Sequence, residues 1–144
     1  TWAQAGINLE IIPGDGKQTL TKYRARQHDI YIGRWGPDYQ DPHTNASTFA
    51  WNPDNSDDAS AKPLAWRNSW NPGDMTAEVD KAILERDGEK RAAMYVDLQK
   101  KVLESGPFVI MFQETEIAAM RGNVNNLVLG PSFDNNYYRF VTKD

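Results

Sequence analysis

The sequence predicts an α/β fold, in which a mixed sheet is flanked by helices. Three observations lead to this prediction. Residues 7–35 are predicted to form a strand, a helix and a strand. The two outer segments alternate apolar and polar residues, and the segment between them has helical spacing. Residues 88–104 carry an apolar stripe at the spacing of an amphipathic helix. Residues 108–112 form a short continuous apolar run, which is typical of a strand buried on both faces.

The strand–helix–strand segment comes first in the chain. Residues 7–12 are expected to form a strand that ends at a glycine-rich turn. The helix at 17–26 places Leu20 and Tyr23 on one face, and the second strand covers residues 29–35. Units of this order bind ligands outside the carboxyl ends of their strands, so the loop after the second strand is a candidate site.

Three more helices are predicted, at residues 42–52, 75–86 and 88–104. Each follows an aspartate that suits the N-cap position, and Pro42 suits the first turn of its helix. Gly106, followed by a proline, predicts that the last helix ends at a C′ glycine. The residues expected to face inward from the last two helices are Val79, Ala82, Ile83, Tyr95, Leu98 and Val102.

The remaining segments are a loop and two strands. Residues 52–73 are polar and rich in turn-forming residues, and long loops of this kind are often functional. Residues 117–120 and 137–141 are predicted as further strands, the second of which closes the chain.

The composition limits the function classes. The 144 residues are enough for one domain with a core, and residues 1–144 are predicted to form a single domain. The net charge of −4 argues against nucleic acid as the main partner, since no long basic run offsets it. No apolar run approaches about 18 residues, so no transmembrane segment is predicted. Cysteine is absent, which excludes disulfides and cysteine-bound metals.

The most informative segment reads Arg34-Trp35-Gly36-Pro37-Asp38-Tyr39-Gln40-Asp41-Pro42. Its glycine and prolines stop the preceding strand and expose the residues between them. Trp35 would stack on a ligand or fill the core at the strand end. Asp38 would bind an ammonium group by a charge-assisted hydrogen bond, or form a turn with its own backbone. Asp41 is predicted to cap the next helix rather than to bind ligand.

The tryptophans give a second candidate surface. Of the five in the chain, Trp51, Trp66 and Trp70 bracket the loop at 52–73. Aromatic faces stack on sugars, peptide side chains and planar ligands, but the same residues would also pin the loop to the domain. Arg67 and Asn68, beside Trp66, would receive a ligand carboxylate or remain at the solvated surface.

Enzymatic interpretations have little support in the residues. Asp38 and Asp41 would form a carboxylate pair for glycoside hydrolysis, although two acids in one loop are common. The two histidines, His28 and His43, have no helical partner at metal spacing, and no G-x-S-x-G motif is present. The sequence therefore predicts a protein that is not an enzyme and has no cofactor or metal site.

The segment W-x-x-D-Y-x-D-P, after a strand that opens with aspartate, resembles the extracytoplasmic solute-binding proteins of ABC transporters. The nearest group is the family of dipeptide- and oligopeptide-binding receptors. Other parts of the chain resemble this family in the same order, namely Trp2 to Glu10, Trp66-Arg67-Asn68 with Asp80, Asp87 to Leu103, Gly106 to Ile110, and Asp134 to Tyr138. The likeness runs nearly end to end.

The resemblance implies a fold and a function. The chain would be the C-terminal lobe of a two-lobe receptor, with the N-terminal lobe absent from this sequence. Such receptors close on a peptide or another small solute and present it to the membrane permease of an ABC importer, from the periplasm or from a lipid anchor. In peptide-binding members the aspartate that matches Asp38 holds the α-amino group of the ligand. The same pattern implies ligand contacts by Trp35 and by the backbone of Gly36 and Pro37.

Two alternatives remain open from the sequence. The ligands of this family include nickel complexes, haem, sugars and opines, and the tryptophans would suit an oligosaccharide-binding receptor. A stand-alone carbohydrate-binding module is the alternative from another class. Its usual β-sandwich is not expected to contain the helix at 88–104.

Overall fold

The computed structural model describes residues 2–132 and 135–144, so Asp134 of the closing segment lies outside the described residues. The chain divides into two compact units, residues 1–32 and 33–144. Within the described residues no helix is both long enough and apolar enough to cross a membrane.

The first unit contains the predicted helix without its predicted strands. A 3₁₀ turn covers Trp2–Ala5, and helix α1 covers Gly16–Arg24. Tyr23 of α1 is buried, and its ring stacks on Tyr31 with 4.0 Å between centroids. The strands expected at residues 7–12 and 29–35 are not formed, because neither segment has a partner strand among the described residues.

The second unit is built around helices. These are α2 (Pro42–Phe49), α3 (Leu64–Arg67), α4 (Met75–Leu84) and α5 (Gly88–Ser105). Strands β1 (Val124–Asn125) and β2 (Thr142–Lys143) pair antiparallel, with Val124 opposite Lys143, and a 3₁₀ turn covers Tyr138–Phe140. The predicted strand at 137–141 is therefore replaced by this turn and β2.

The core of the second unit lies between α2, α4 and α5. Its buried residues are Ala50, Met75, Val79, Ala82, Tyr95 and Leu98. Val102 packs against this cluster as predicted, but Ile83 is 49% exposed. The prediction for Ile83 was wrong because the buried stripe of α4 runs through residues 75, 79 and 82, which leaves residue 83 at its edge.

The helix ends follow the predicted signals in part. Asp41 and Asp87 accept hydrogen bonds from the backbone N–H groups of His43 and Lys90, at 2.8 and 3.0 Å. Asp74 occupies the N-cap position of α4, but its side chain makes no capping hydrogen bond. Gly106 ends α5 with φ at −78°, so it does not adopt the left-handed conformation of a C′ glycine.

The strands expected at 108–112 and 117–120 are also not formed. The ring of Phe108 packs edge-on against Phe49, with 5.0 Å between centroids, but the residues beyond it are open to solvent. Val109 is 84% exposed and Phe112 is 79% exposed. A strand needs a neighbour for its backbone groups, and the ladder formed among the described residues is that of β1 and β2. The described residues are thus rich in helix with a small antiparallel sheet, which is compatible with part of an α/β domain.

Candidate functional site

The loop at residues 35–41 leads directly into α2, and Trp35 fixes its first end. The indole N–H of Trp35 donates to Oδ1 of Asn45 on α2, at 2.8 Å. The ring also meets Phe49 edge-on, with 6.0 Å between centroids. Trp35 nevertheless remains 42% exposed. Its orientation is therefore set by α2, while part of the ring stays accessible to a ligand.

Asp38 lies in the middle of this loop with its carboxylate exposed. Among the described residues, none donates a hydrogen bond to that carboxylate, so the turn in which Asp38 would satisfy itself is not formed. Gly36 is exposed beside it, and Pro37 is half-buried. The four residues that the sequence proposed as ligand contacts thus share one loop, and their contact with a ligand remains a prediction.

Asp41, at the other end of the loop, is fully engaged. One of its carboxylate oxygens accepts from the backbone N–H of His43 and caps α2. Both oxygens accept from the guanidinium of Arg91 on α5, at 2.8 and 3.0 Å. These hydrogen bonds, chiefly those from Arg91, hold the pKa of the Asp41 carboxyl below its ordinary value of 3.8. The two-pronged geometry is the strong form of an arginine–carboxylate pair.

Arg91 is itself held by Tyr95, one turn further along α5. The Arg91 guanidinium lies over the Tyr95 ring, 4.9 Å from its centroid, and donates to the Tyr95 hydroxyl at 3.4 Å. Nδ1 of His43 lies 3.2 Å from the same hydroxyl. Tyr95 is only 2% exposed, and burial raises the pKa of its hydroxyl above the usual value of 10.0. The hydroxyl therefore stays protonated and available to this network.

The different environments of Asp38 and Asp41 bear on the carboxylate-pair hypothesis. A glycoside hydrolase needs one carboxyl that is protonated and can act as a general acid. The pKa of Asp41 is lowered rather than raised, and its oxygens already bind Arg91 and the backbone of α2. Asp41 is thus a structural carboxylate and does not suit the role of the acid.

Trp51, Trp66 and Trp70 hold the loop at 52–73 in place. Trp66 is 4% exposed, and its indole N–H donates to the carbonyl of Ser56 at 2.7 Å. Trp51 donates to Asp80 of α4 at 3.0 Å and packs, with Trp70, against the core. Each of these three side chains is less exposed to solvent than Trp35.

The polar residues beside Trp66 are also used within the loop. Nε of Arg67 donates to the carbonyl of Lys62 at 3.1 Å, and Nδ2 of Asn68 donates to the carbonyl of Leu64 at 2.9 Å. Within residues 2–132 and 135–144, no group of three or more histidine or acidic side chains could hold a metal ion. The loop at 35–41 is therefore the best candidate site in the described part of the chain.

Arg91 and Tyr95 were missed as site residues by sequence reasoning. The pattern Arg-x-x-x-Tyr, within the segment Asp87 to Leu103, places them on one face of α5. Nothing in that pattern indicates that the arginine reaches Asp41, because the pair is 50 positions apart in the chain.

No protein-family model matches the chain, and no solved structure matches it. The chain is 27% identical over 135 residues to the "di/tripeptide-binding protein 4" of Pseudomonas aeruginosa (strain UCBPP-PA14). This alignment covers 94% of the chain and 24% of the relative. The chain is also 28% identical over 111 residues to the "probable D,D-dipeptide-binding periplasmic protein DdpA" of Escherichia coli (strain K12). This alignment covers 74% of the chain and 20% of the relative. The chain thus spans about a quarter or less of these relatives' lengths. This distant homology supports the relationship that the loop motif indicated.

Proposed function

We propose that the chain is the C-terminal lobe of an extracytoplasmic solute-binding protein that serves an ABC importer. Its ligand is a peptide or another small solute with a charged amino group. The protein works in the periplasm or from a lipid anchor, and its partners are the permease subunits. The relatives with peptide-binding names support this proposal, and so does the loop at 35–41. The proposed activity is binding, without catalysis or a cofactor.

The observation that carries the proposal is the contrast between two aspartates in one loop. Asp41 is satisfied by Arg91 and by the α2 backbone, whereas no described residue donates to the exposed carboxylate of Asp38. The ammonium group of a peptide supplies the donors that Asp38 lacks, in a charge-assisted hydrogen bond. Trp35, fixed by α2 but partly exposed, gives an apolar wall beside it. Gly36 and Pro37 offer backbone between the two, although Pro37 has no N–H to donate.

The mechanism is closure of two lobes around the ligand. A ligand that contacts both lobes stabilises the closed state in proportion to its preference for that state. In this scheme the loop at 35–41 forms one wall of the site, and the other lobe supplies the second. The chain alone is expected to bind weakly, because it makes only part of the contacts.

The test compares a free-amine dipeptide, alanyl-phenylalanine, with its N-acetylated form. Binding is measured by calorimetry on the two-lobe protein that contains this chain. Asp38→Asn is expected to cost about 1.5–3 kcal/mol of affinity for the free-amine peptide, because a hydrogen bond to a charged group is lost. The N-acetylated peptide is expected to bind weakly to wild type and to be insensitive to the substitution.

The matched control is Asp58→Asn, which removes another exposed carboxylate from the same unit. This control is expected to leave the affinities for both peptides unchanged. Equal binding of the free and acetylated peptides to wild type would remove Asp38 from the proposed role.

An oligosaccharide receptor is the second candidate, and the exposure of Trp35 favours it. Sugars stack on exposed aromatic rings, but the other tryptophans near the loop at 52–73 are committed to packing. If a sugar is the ligand, Trp35→Ala abolishes binding of an oligosaccharide probe such as cellotriose while Asp38→Asn has little effect. The stand-alone carbohydrate-binding module is disfavoured, because the described residues are rich in helix and contain no sandwich of sheets.

A further inference from the structure

Arg91 connects α5 to the far end of the loop at 35–41. Its guanidinium grips both oxygens of Asp41, and Asp41 also caps α2. The Arg91 side chain is 25% exposed. Its guanidinium lies over the ring of Tyr95 and donates a hydrogen bond to the Tyr95 hydroxyl. A guanidinium held in this orientation fixes the position of the carboxylate that it binds. The carboxylate can keep both parallel hydrogen bonds in only one arrangement.

A short path leads from Asp41 back to Asp38. The backbone N–H of Asp41 donates to the carbonyl of Tyr39 at 3.0 Å, which closes a tight turn. Tyr39 is bonded directly to Asp38. A displacement of Asp41 therefore acts, through this hydrogen bond, on the backbone next to Asp38. The amide of Gln40 also donates to the carbonyl of Pro131, which restrains the same turn from another side.

The first end of the loop is fixed independently, by the hydrogen bond from Trp35 to Asn45. The loop is thus held at its start by Asn45 and at its end by the Arg91 network, with Gln40 adding a contact to Pro131. Asp38 lies between these contacts, exposed and without a hydrogen-bond donor to its carboxylate among the described residues. A binding group gains affinity and selectivity when its supporting residues fix it before the ligand arrives.

We propose that Arg91, supported by Tyr95, is a positioning residue that sets the conformation of the loop presenting Asp38 and so gives the site its preference for a free amino group. Arg91 acts through Asp41 and does not touch the ligand. This inference rests on the proposed function for its ligand, although the ordering of the loop can be measured without one.

The first measurement needs no ligand. Backbone amide order parameters of residues 36 and 38–40 are measured by NMR in the 144-residue chain, in wild type and in Arg91→Met. The substitution is expected to lower the order parameters of this loop, because its second end loses both hydrogen bonds from Arg91 and keeps only the helix cap and the Gln40 contact. Arg91→Lys, which keeps the charge but not the planar fork, provides a milder variant and is expected to have an intermediate effect.

The matched control is Lys101→Met on the same helix. Lys101 binds both carboxylate oxygens of Glu78 on α4 at 2.7 Å, so it too ties α5 to another helix. Its ion-pair partners are Glu78 and Asp97, which lie outside the loop at 35–41, so its loss is expected to leave the order parameters of residues 36 and 38–40 unchanged. Equal loop disorder in the Arg91→Met and Lys101→Met variants, or none in either, would overturn the inference.

The second measurement uses alanyl-phenylalanine and its N-acetylated form with the two-lobe protein. In metal sites, removal of a residue that orients a metal ligand lowers affinity by roughly 10- to 100-fold. By analogy, Arg91→Met is expected to lower the affinity for the free-amine peptide by about tenfold. The affinity for the acetylated peptide is expected to be unchanged in Arg91→Met. If Arg91 had only a structural role, Arg91→Met would lower the affinities for both peptides equally.

A double substitution separates this inference from the proposed function. If Arg91 acts through Asp38, the variant Asp38→Asn with Arg91→Met binds no more weakly than Asp38→Asn alone. Additive losses would show that Arg91 acts by another route, and they would overturn the inference while leaving the amine site in place. If wild type shows no preference for the free amine, the proposed function fails. The loop-order result then still decides whether Arg91 positions the loop.

Discussion

At the scale of single residues, Asp38 and Asp41 differ in what satisfies their carboxylates. The cap made by Asp41 was predicted because it depends on neighbours in the chain, a following proline and the first N–H groups of α2. Its pairing with Arg91 depends on how α2 and α5 pack, which no local pattern contains. The exposure of Asp38 depends on packing in the same way. The sequence could name this residue as a candidate but could not show that its carboxylate lacks a donor.

The lowered pKa of Asp41 makes stability depend on pH in a defined direction. Because the folded chain binds this proton less readily than the unfolded chain, Asp41 contributes stability above its ordinary pKa of 3.8. That contribution is lost as the pH falls below 3.8 and through the lowered folded value. The difference in unfolding free energy between wild type and Arg91→Met is therefore expected to shrink on acidification. Urea unfolding followed by circular dichroism, from about pH 6 to about pH 2, measures it.

Lys101→Met provides the comparison for this pH series, because Asp41 keeps Arg91 in that variant. Its stability is expected to retain the acid dependence that Asp41 contributes. A difference between wild type and Arg91→Met that stays constant down to about pH 2 would contradict a lowered pKa at Asp41.

At the scale of elements, helices α1, α2, α4 and α5 were predicted, whereas α3 lies in the segment 52–73 that was expected to be a loop. The predicted strands did not form as expected. Helix α5 was expected at 88–104 and covers Gly88–Ser105, because its cap at Asp87 and its apolar stripe are both local signals. The apolar run at 108–112 has equally clear residue preferences but forms no strand, since a strand also needs a partner. Helices satisfy their own backbone groups, whereas strands depend on distant residues.

Leu98 is expected to be the residue through which α5 stabilises the second unit most directly. It is 2% exposed and belongs to the core cluster with Val79 and Tyr95. Leu98→Ala is expected to lower the free energy of unfolding by about 2–5 kcal/mol, because it removes buried apolar surface and leaves a cavity. Denaturant unfolding measures the change, and the preference for free-amine over acetylated peptide in the two-lobe protein is expected to persist.

The same helix offers the matched control, Leu103→Ala, since Leu103 is 65% exposed. That substitution is expected to change stability by less than about 0.5 kcal/mol. Similar losses for the two leucines would mean that α5 does not bury the apolar stripe that contains Leu98.

At the scale of the whole molecule, the main feature is apolar surface in segments that read as strands. Ile11 and Ile12 in the first unit, and Val109, Ile110 and Phe112 in the second, are between 68% and 84% exposed. Runs of this composition are typical of strands in a covered sheet, and their exposure is unusual for a folded protein. The proposed place of the chain within a larger receptor accounts for both observations, because the missing neighbours would belong to the rest of that receptor.

Amide hydrogen exchange tests this account in two proteins. In the 144-residue chain, the amides of residues 109–112 donate no backbone hydrogen bond among the described residues, whereas those around Leu98 lie within α5. We therefore expect fast exchange at 109–112 and slow exchange near Leu98. In the two-lobe protein, pairing with a neighbouring strand would make residues 109–112 slow as well. Protection at 109–112 in the shorter chain would mean that the sheet forms without further partners. Fast exchange in both proteins would mean that this segment is not a strand, and that the sequence pattern at 108–112 has another cause.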